Sequence, residues 1–235
     1  MSQYLCNIEL YYTLPKNISE NRIIIEGEEY SHIIKVMRHT VNDELFVCNG
    51  EGKVFAGRIN KINKNNLELA IANTLSYENK LKNIFFCIPK LRNNDRFEFA
   101  LEKCTELGIT NFLVFESERT ISKRHTIERW NKILLSAMKQ SLNSFLPKID
   151  IIDFDDISNL PGIKIGLEQS SPKNFSDFKL NLDIKYYFIF GPEGGLSEKE
   201  MSIFEKENVY KIANNRLRTE TALVTAASLI IGNKY

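Results

Sequence analysis

The chain reads as an α/β protein in two parts, a small β-rich unit followed by a larger unit built on a mostly parallel sheet. Three observations predict this. Up to residue 72 the apolar residues fall in short runs broken by polar turns; from residue 83 onward apolar runs alternate with helical periodicity; and the polar stretch 73–82 (NTLSYENKLK) lies between as a linker.

In the first part, residues 22–26 (RIIIE), 45–48 (LFVC), 53–59 (KVFAGRI) and 67–72 (LELAIA) are expected strands. Turn signals separate them at Glu26-Gly27, Val41-Asn42-Asp43, Asn49-Gly50-Glu51-Gly52 and Lys64-Asn65-Asn66. One helix over 28–38 would place Ile33, Ile34 and Met37 on a single face. Short strands with polar turns suggest a small barrel. Lys35, Arg38, Lys53, Arg58, Lys61 and Lys64 form either a basic face or an ordinary solvated surface, since this part carries acidic residues in nearly equal number.

In the second part, strands are expected at 83–89, 111–115, 148–152, 163–167, 186–190 and 209–212. A helix capped by Asn94 or Asp95 runs to Leu107, buries Phe97, Leu101 and Cys104, and ends at Gly108. A longer one over 126–145 turns Trp130, Ile133, Leu134, Ala137, Met138 and Leu142 inward. The last, about 220–230, is almost wholly small or apolar. It is expected to be buried all round, inside the fold or against a second subunit.

Composition narrows the function. With 31 basic and 30 acidic residues in 235, the formal charge is +1, so contact with a polyanion must come from local patches. Residues 80–103 and 116–132 are locally basic, which reads either as solvated faces or as phosphate contacts beside strand ends. Cys6, Cys48, Cys87 and Cys104 are far apart, and His32, His39 and His125 lack ligand spacing, so neither a metal site nor a disulfide framework is expected. The N-terminal residues lack the pattern of a secretory signal and no apolar run reaches membrane length, so a soluble, cytoplasmic protein is expected.

Two motifs carry the chemistry. The apolar run 186–190 breaks into Gly191-Pro192-Glu193-Gly194-Gly195, and Ser197 and Glu200 then form a capping box. Strand, glycine loop and helix together bring backbone N–H groups against a small ligand. Some twenty residues later comes LRTETA, 217–222. No Walker-type loop, dinucleotide fingerprint or nucleophile elbow is present.

GPEGG followed by LRTETA resembles the cofactor site of the trefoil-knotted SPOUT methyltransferases, and more narrowly the RsmE-type enzymes that methylate uridine N3 in small-subunit (16S) ribosomal RNA. His32-x-x-Lys35-Val36-Met37-Arg38 with Asn49-Gly50-Glu51-Gly52 is similar to that family's PUA-like barrel. Asp95-Arg96-x-Glu98, Lys103-x-x-Glu106-Leu107-Gly108, Glu118-Arg119, Glu128-Arg129-Trp130 and Ala137-x-x-Gln140-Ser141 are similar to its second domain. The resemblance covers nearly the whole chain. It implies a PUA-like RNA-binding β-barrel over 1–72, a SPOUT domain over 83–235 and a homodimer whose subunits complete each other's sites.

The resemblance also implies S-adenosylmethionine (SAM) as cofactor, held by Leu167, Glu168, Gly191, Pro192, Glu193, Gly194, Gly195, Ile212, Leu217, Thr219, Thr221 and Ala222. Arg218 would stabilise the uracil anion through its forked donors, and Glu220 would act as base or orient the base. The alternatives are that Glu220 caps its helix and that Arg218 pairs with Glu193. Lys35, Arg38, Lys90, Arg96 and Arg119 are the expected RNA contacts. The chain departs from the family pattern at Gln3-Tyr4-Leu5-Cys6, at Asn143 and Phe145 where arginines are usual, and at Ala213-Asn214-Asn215-Arg216. Rival readings are another SPOUT RNA methyltransferase, such as a ribose 2′-O enzyme, or a non-catalytic RNA-binding or ribosome-assembly protein.

Overall fold

The computed structural model describes residues 8–119 and 126–232. Cys6, Lys123, Arg124 and His125, with the divergent opening Gln3-Tyr4-Leu5-Cys6, lie outside the described residues. The described chain forms two compact units. Among the described residues, the first comprises 8–79 and 138–146, the second 80–119, 126–137 and 147–232.

The first unit is a five-stranded sheet of β1 (Leu10–Tyr12), β2 (Arg22–Glu26), β3 (Glu44–Cys48), β4 (Lys53–Ile62) and β5 (Asn66–Ser76), in the order β1-β3-β4-β5-β2. The expected barrel is thus a sheet with β1 and β2 at its edges, bent by register shifts along the β4–β5 ladder. Period-two alternation sets its core. Ile23 and Ile25 on β2 are fully buried between exposed Arg22 and Glu26, and pack with Leu45, Val47, Ile59, Leu67 and Leu69.

Four details differ from expectation. β1 was not foreseen; it is three residues long and pairs in parallel with β3. The expected helix over 28–38 is instead a short α1 (Gly27–Ser31) continuing as a π-helical turn, His32–Val36. The wider turn keeps Ile33 in the core, leaves Met37 41% exposed and ends with Arg38 at φ 61°. β5 runs to Ser76, so the supposed linker begins inside a strand. Finally, residues 138–146 belong to the first unit. There Gly52 donates to the Ser144 carbonyl at 3.0 Å, Leu146 donates to the Gly50 carbonyl at 2.9 Å, and the Lys139 ammonium meets the Glu29 carboxylate at 2.8 Å.

The second unit contains β6 (Ile84–Pro89), α2 (Asn94–Glu106), β7 (Asn111–Phe115), all but the last three residues of α3 (Ile127–Gln140), β8 (Lys148–Ile151), α4 (Phe154–Asn159), β9 (Ile163–Leu167), β10 (Tyr186–Ile189), α5 (Glu198–Met201), β11 (Val209–Tyr210) and α6 (Thr219–Gly232). Its six strands are all parallel, in the order β11-β9-β10-β6-β7-β8. Parallel strands need both faces covered. Phe86, Phe188, Phe97, Trp130 and Leu223 pack in one apolar cluster, and Cys87, Phe115, Ile157, Tyr187 and Ile189 in another. The three described cysteines are buried, and desolvation pushes the Cys48 thiol up to about 12.

The N-cap of α2 is Asn93, whose Oδ1 accepts from the Arg96 amide at 3.2 Å; the capping residue is one position earlier than expected. α3 ends at Gln140, well short of 145, because Leu142 adopts φ 55°. Trp130, Leu134, Ala137 and Met138 are buried as expected, whereas Ile133 and Leu142 are half-buried. In α6, Leu223, Ala226, Ala227 and Ile230 pack inward, but Thr221 and Ser228 are exposed. Within this chain, α6 is therefore not buried all round. Its outward hydroxyls bond back along the helix, Thr225 Oγ1 to the Thr221 carbonyl at 2.8 Å and Ser228 Oγ to the Val224 carbonyl at 2.9 Å.

Candidate active site

The order of the parallel sheet gathers the carboxyl ends of β9, β10 and β11, the place where open α/β sheets hold ligands. β10 feeds directly into the glycine loop. There Gly195 adopts φ 72° and donates to the Pro192 carbonyl at 2.9 Å, a tight turn open to glycine. The capping box at α5 forms as expected: the Ser197 hydroxyl accepts from the Glu200 amide at 3.2 Å, and the Glu200 carboxylate accepts from the Ser197 amide at 2.7 Å.

Side chains from neighbouring segments fasten this loop. The buried Thr219 hydroxyl, at the start of α6, donates to the Gly191 carbonyl at 2.9 Å and so ties LRTETA to GPEGG. Arg216 donates to the Glu193 carbonyl at 2.7 Å, and Arg119, in the loop after β7, donates to the Gly194 carbonyl at 3.0 Å. Gln169, after β9, donates to the Asn214 carbonyl at 3.2 Å.

These loops enclose a cavity of about 660 Å³. Of the residues expected at a cofactor, Leu167, Glu168, Gly191, Pro192, Glu193, Gly194, Gly195, Ile212, Leu217, Thr219 and Ala222 line it. Thr221 does not; it sits on the exposed face of α6. Arg218 lines the cavity, and its guanidinium has no hydrogen-bond or ion-pair partner among the described residues. Glu220 is not on the cavity wall. Its carboxylate, 12% exposed, faces Arg96 Nε at 3.5 Å, while Arg96 itself lines the cavity. The alternative pairing of Arg218 with Glu193 is absent, and it is Arg216 that binds the Glu193 main chain.

Of the expected RNA contacts, Arg96 and Arg119 reach the cavity. Lys90, just beyond β6, pairs with Glu116 at 3.0 Å and does not line the cavity. Lys35 and Arg38 are exposed in the first unit. Gln169, Phe190, Leu196, Ala213, Asn215 and Arg216 complete the lining. Phe190 and Leu196 are also buried core residues, and Ala213, Asn215 and Arg216 belong to the segment that departs from the family pattern.

Electrostatically the lining holds Arg96, Arg119, Arg216 and Arg218 against Glu168 and Glu193. The backbone amides of Glu193, Gly194, Ala213, Leu217 and Arg218 donate to no protein acceptor among the described residues. The lining thus combines apolar side chains, unpartnered main-chain donors and cationic side chains, a combination suited to a flat, partly polar ligand beside an anionic one. No cluster of metal-binding side chains occurs among the described residues.

The geometry agrees with comparisons across known proteins. A profile described as an RNA methyltransferase domain matches residues 78–231, and an RNA methyltransferase PUA domain profile matches 25–72. A ribosomal RNA small subunit methyltransferase E 1 of Borreliella burgdorferi is 30% identical, the match covering 90% of this chain and 92% of that protein. The chain belongs to the ribosomal RNA small subunit methyltransferase E family. The family member of Bacillus subtilis is 28% identical over 225 residues, with 88% of each chain covered. The crystal structure of the Neisseria gonorrhoeae member bound to S-adenosyl methionine superposes with TM-score 0.84 at 27% identity, covering 95% of this chain and 97% of that one. The PUA-like first unit and the all-parallel second unit are the architecture of this family.

Proposed function

We propose that this protein methylates N3 of a uridine in small-subunit (16S) ribosomal RNA, using SAM, as a cytoplasmic homodimer. The observation that carries the reading is the cavity built by GPEGG and LRTETA and locked by the Thr219–Gly191 hydrogen bond. The family relationship supports the same chemistry, since the Neisseria gonorrhoeae relative was crystallised with SAM.

The residues present fit SAM. Unpartnered main-chain donors on Glu193, Gly194, Ala213, Leu217 and Arg218 suit the adenine edge and the carboxylate, and Leu167, Phe190, Ile212 and Leu217 suit the faces of the ring. When bound, SAM supplies an electrophilic methyl group. The neutral imide of uracil is a poor nucleophile, and loss of its proton leaves an anion spread over O2 and O4. Arg218, with unengaged donors at the cavity, stabilises that anion. Glu220 takes the N3 proton or orients the uracil, and Arg96 holds its carboxylate beside the site.

Lys35, Arg38, Lys90, Arg96 and Arg119 contact RNA phosphates, the first two from the PUA-like unit. The outward face of α6, with Thr221, Val224, Thr225 and Ser228, is the surface offered to a second copy. Asn143 and Phe145, at positions where the family usually has arginines, favour a non-catalytic reading only if their sole use is RNA. Here they serve the fold. Asn143 Oδ1 accepts from the Phe145 amide at 3.1 Å, and the Phe145 ring packs on Gly52.

Mass-spectrometric nucleoside mapping tests the proposal, applied to small-subunit rRNA from cells lacking the protein, before and after treatment with protein and SAM. Appearance of 3-methyluridine at one site only on treatment supports it. Methylation of a ribose instead, or no new methyl group, refutes the atom and substrate assignment.

A further inference from the structure

The capping box of α5 contains one more bond than a cap requires. Glu200 is only 2% exposed, and one of its carboxylate oxygens accepts from the Ser197 amide as a capping box demands. The other accepts from the backbone amide of Glu118 at 3.1 Å, 82 residues back in the chain. Burying a carboxylate is costly unless donors replace its water, and α5 has four residues, too short a helix to explain that cost by its own stability. The bond to Glu118 fixes the residue immediately before Arg119.

Arg119 leaves this anchored backbone, lies against Gly194 and donates to the Gly194 carbonyl at 3.0 Å. A Cβ placed on Gly194 would meet the Arg119 side chain at ordinary van der Waals distance, 3.5 Å from its Cβ, so the two residues are close neighbours. The Ser117 hydroxyl accepts from the Arg119 amide at 3.5 Å and supports the same turn. Both Arg119 and Gly194 line the cavity, whereas neither Ser197 nor Glu200 does.

We propose that Glu200 is a positioning residue for cofactor binding. Its buried carboxylate couples the loop after β7 to the glycine loop, so that Arg119 holds Gly194 in its binding geometry. The inference rests on the SAM reading above. It adds that the GPEGG loop is shaped from outside, by a carboxylate that never touches the ligand.

Calorimetric titration of the full chain with SAM tests it, with Glu200→Gln, Arg119→Ala, the double variant and Ser197→Ala. An amide at position 200 presents one acceptor and one donor to two N–H groups, so it keeps the cap or the Glu118 bond but not both. Glu200→Gln and Arg119→Ala should each weaken SAM binding about ten-fold at unchanged stoichiometry, and the double variant no further than the weaker single. Ser197→Ala should lower the melting temperature and leave affinity within about two-fold, because it removes only the hydroxyl that accepts from the Glu200 amide and leaves both carboxylate bonds in place. Independent, multiplying effects in the double variant overturn the coupling. So does unchanged affinity in Arg119→Ala, a variant whose result stands even if Glu200→Gln fails to fold. Absence of SAM binding by the unaltered protein defeats the cofactor reading itself, an outcome distinct from either.

Discussion

Replacing Thr219 by valine keeps the β-branched shape and removes the hydroxyl that binds the Gly191 carbonyl. Thr219 is 6% exposed and the bond is 2.9 Å long, so little water can substitute for it. A methyl group in that place must also retreat by a few tenths of an ångström from the oxygen. Losing the bond and leaving a carbonyl poorly solvated costs about 1–2 kcal/mol. In a chain of this size the melting temperature should then fall by about 2–8 °C. Because SAM would have to restore the glycine loop on binding, its Kd should rise by about 5–30-fold. Differential scanning fluorimetry and calorimetric titration read the two effects separately. Thr219→Ser, which keeps the hydroxyl, should retain most of the affinity. If Thr219→Val bound SAM within two-fold of the unaltered protein at an unchanged melting temperature, the tie between LRTETA and GPEGG would not be what shapes the loop.

Arg218→Ala and Glu220→Gln should each lower single-turnover methylation at saturating SAM by roughly a hundred-fold while SAM still binds; near-normal turnover in both sinks the catalytic assignment. Gly52→Ala should destabilise the protein by about 1–3 kcal/mol, read from denaturant melts. Gly52 sits at φ 95°, and an added Cβ falls 2.5 Å from a Phe145 ring carbon and 2.9 Å from the Tyr77 carbonyl oxygen. An unchanged midpoint would contradict that packing. Asp43 is held below the usual carboxylate range, chiefly by the Thr40 amide, which donates to it at 2.7 Å, with His39 assisting. A depressed folded value stabilises above the unfolded pKa and is lost as pH falls through the folded one. The stability advantage over Asp43→Asn should therefore shrink on acidification below about pH 4; an advantage constant across that range disproves the assignment.

The glycine loop and LRTETA were readable because their chemistry is local. A buried strand that stops at glycines has few uses, and the capping box announces the next helix at fixed spacing. For the same reason nearly every strand of the parallel sheet lies where its apolar run placed it; Leu167, Ile212 and Arg218, which line the cavity, were named through the family resemblance and not through local pattern. The regular helix expected over 28–38 failed because periodicity assumes 3.6 residues per turn, and the π turn at His32–Val36 spends an extra residue to keep Ile33 inside. The unforeseen contacts join residues distant in the chain: Phe145 on Gly52, Arg96 against Glu220, Arg216 on the Glu193 carbonyl, and Glu200 on the Glu118 amide. Pattern along a chain reports which face of an element is apolar and where it stops. It carries no information about which of many arginines meets a given carboxylate, because that choice is made by the sheet order that brings two loops together.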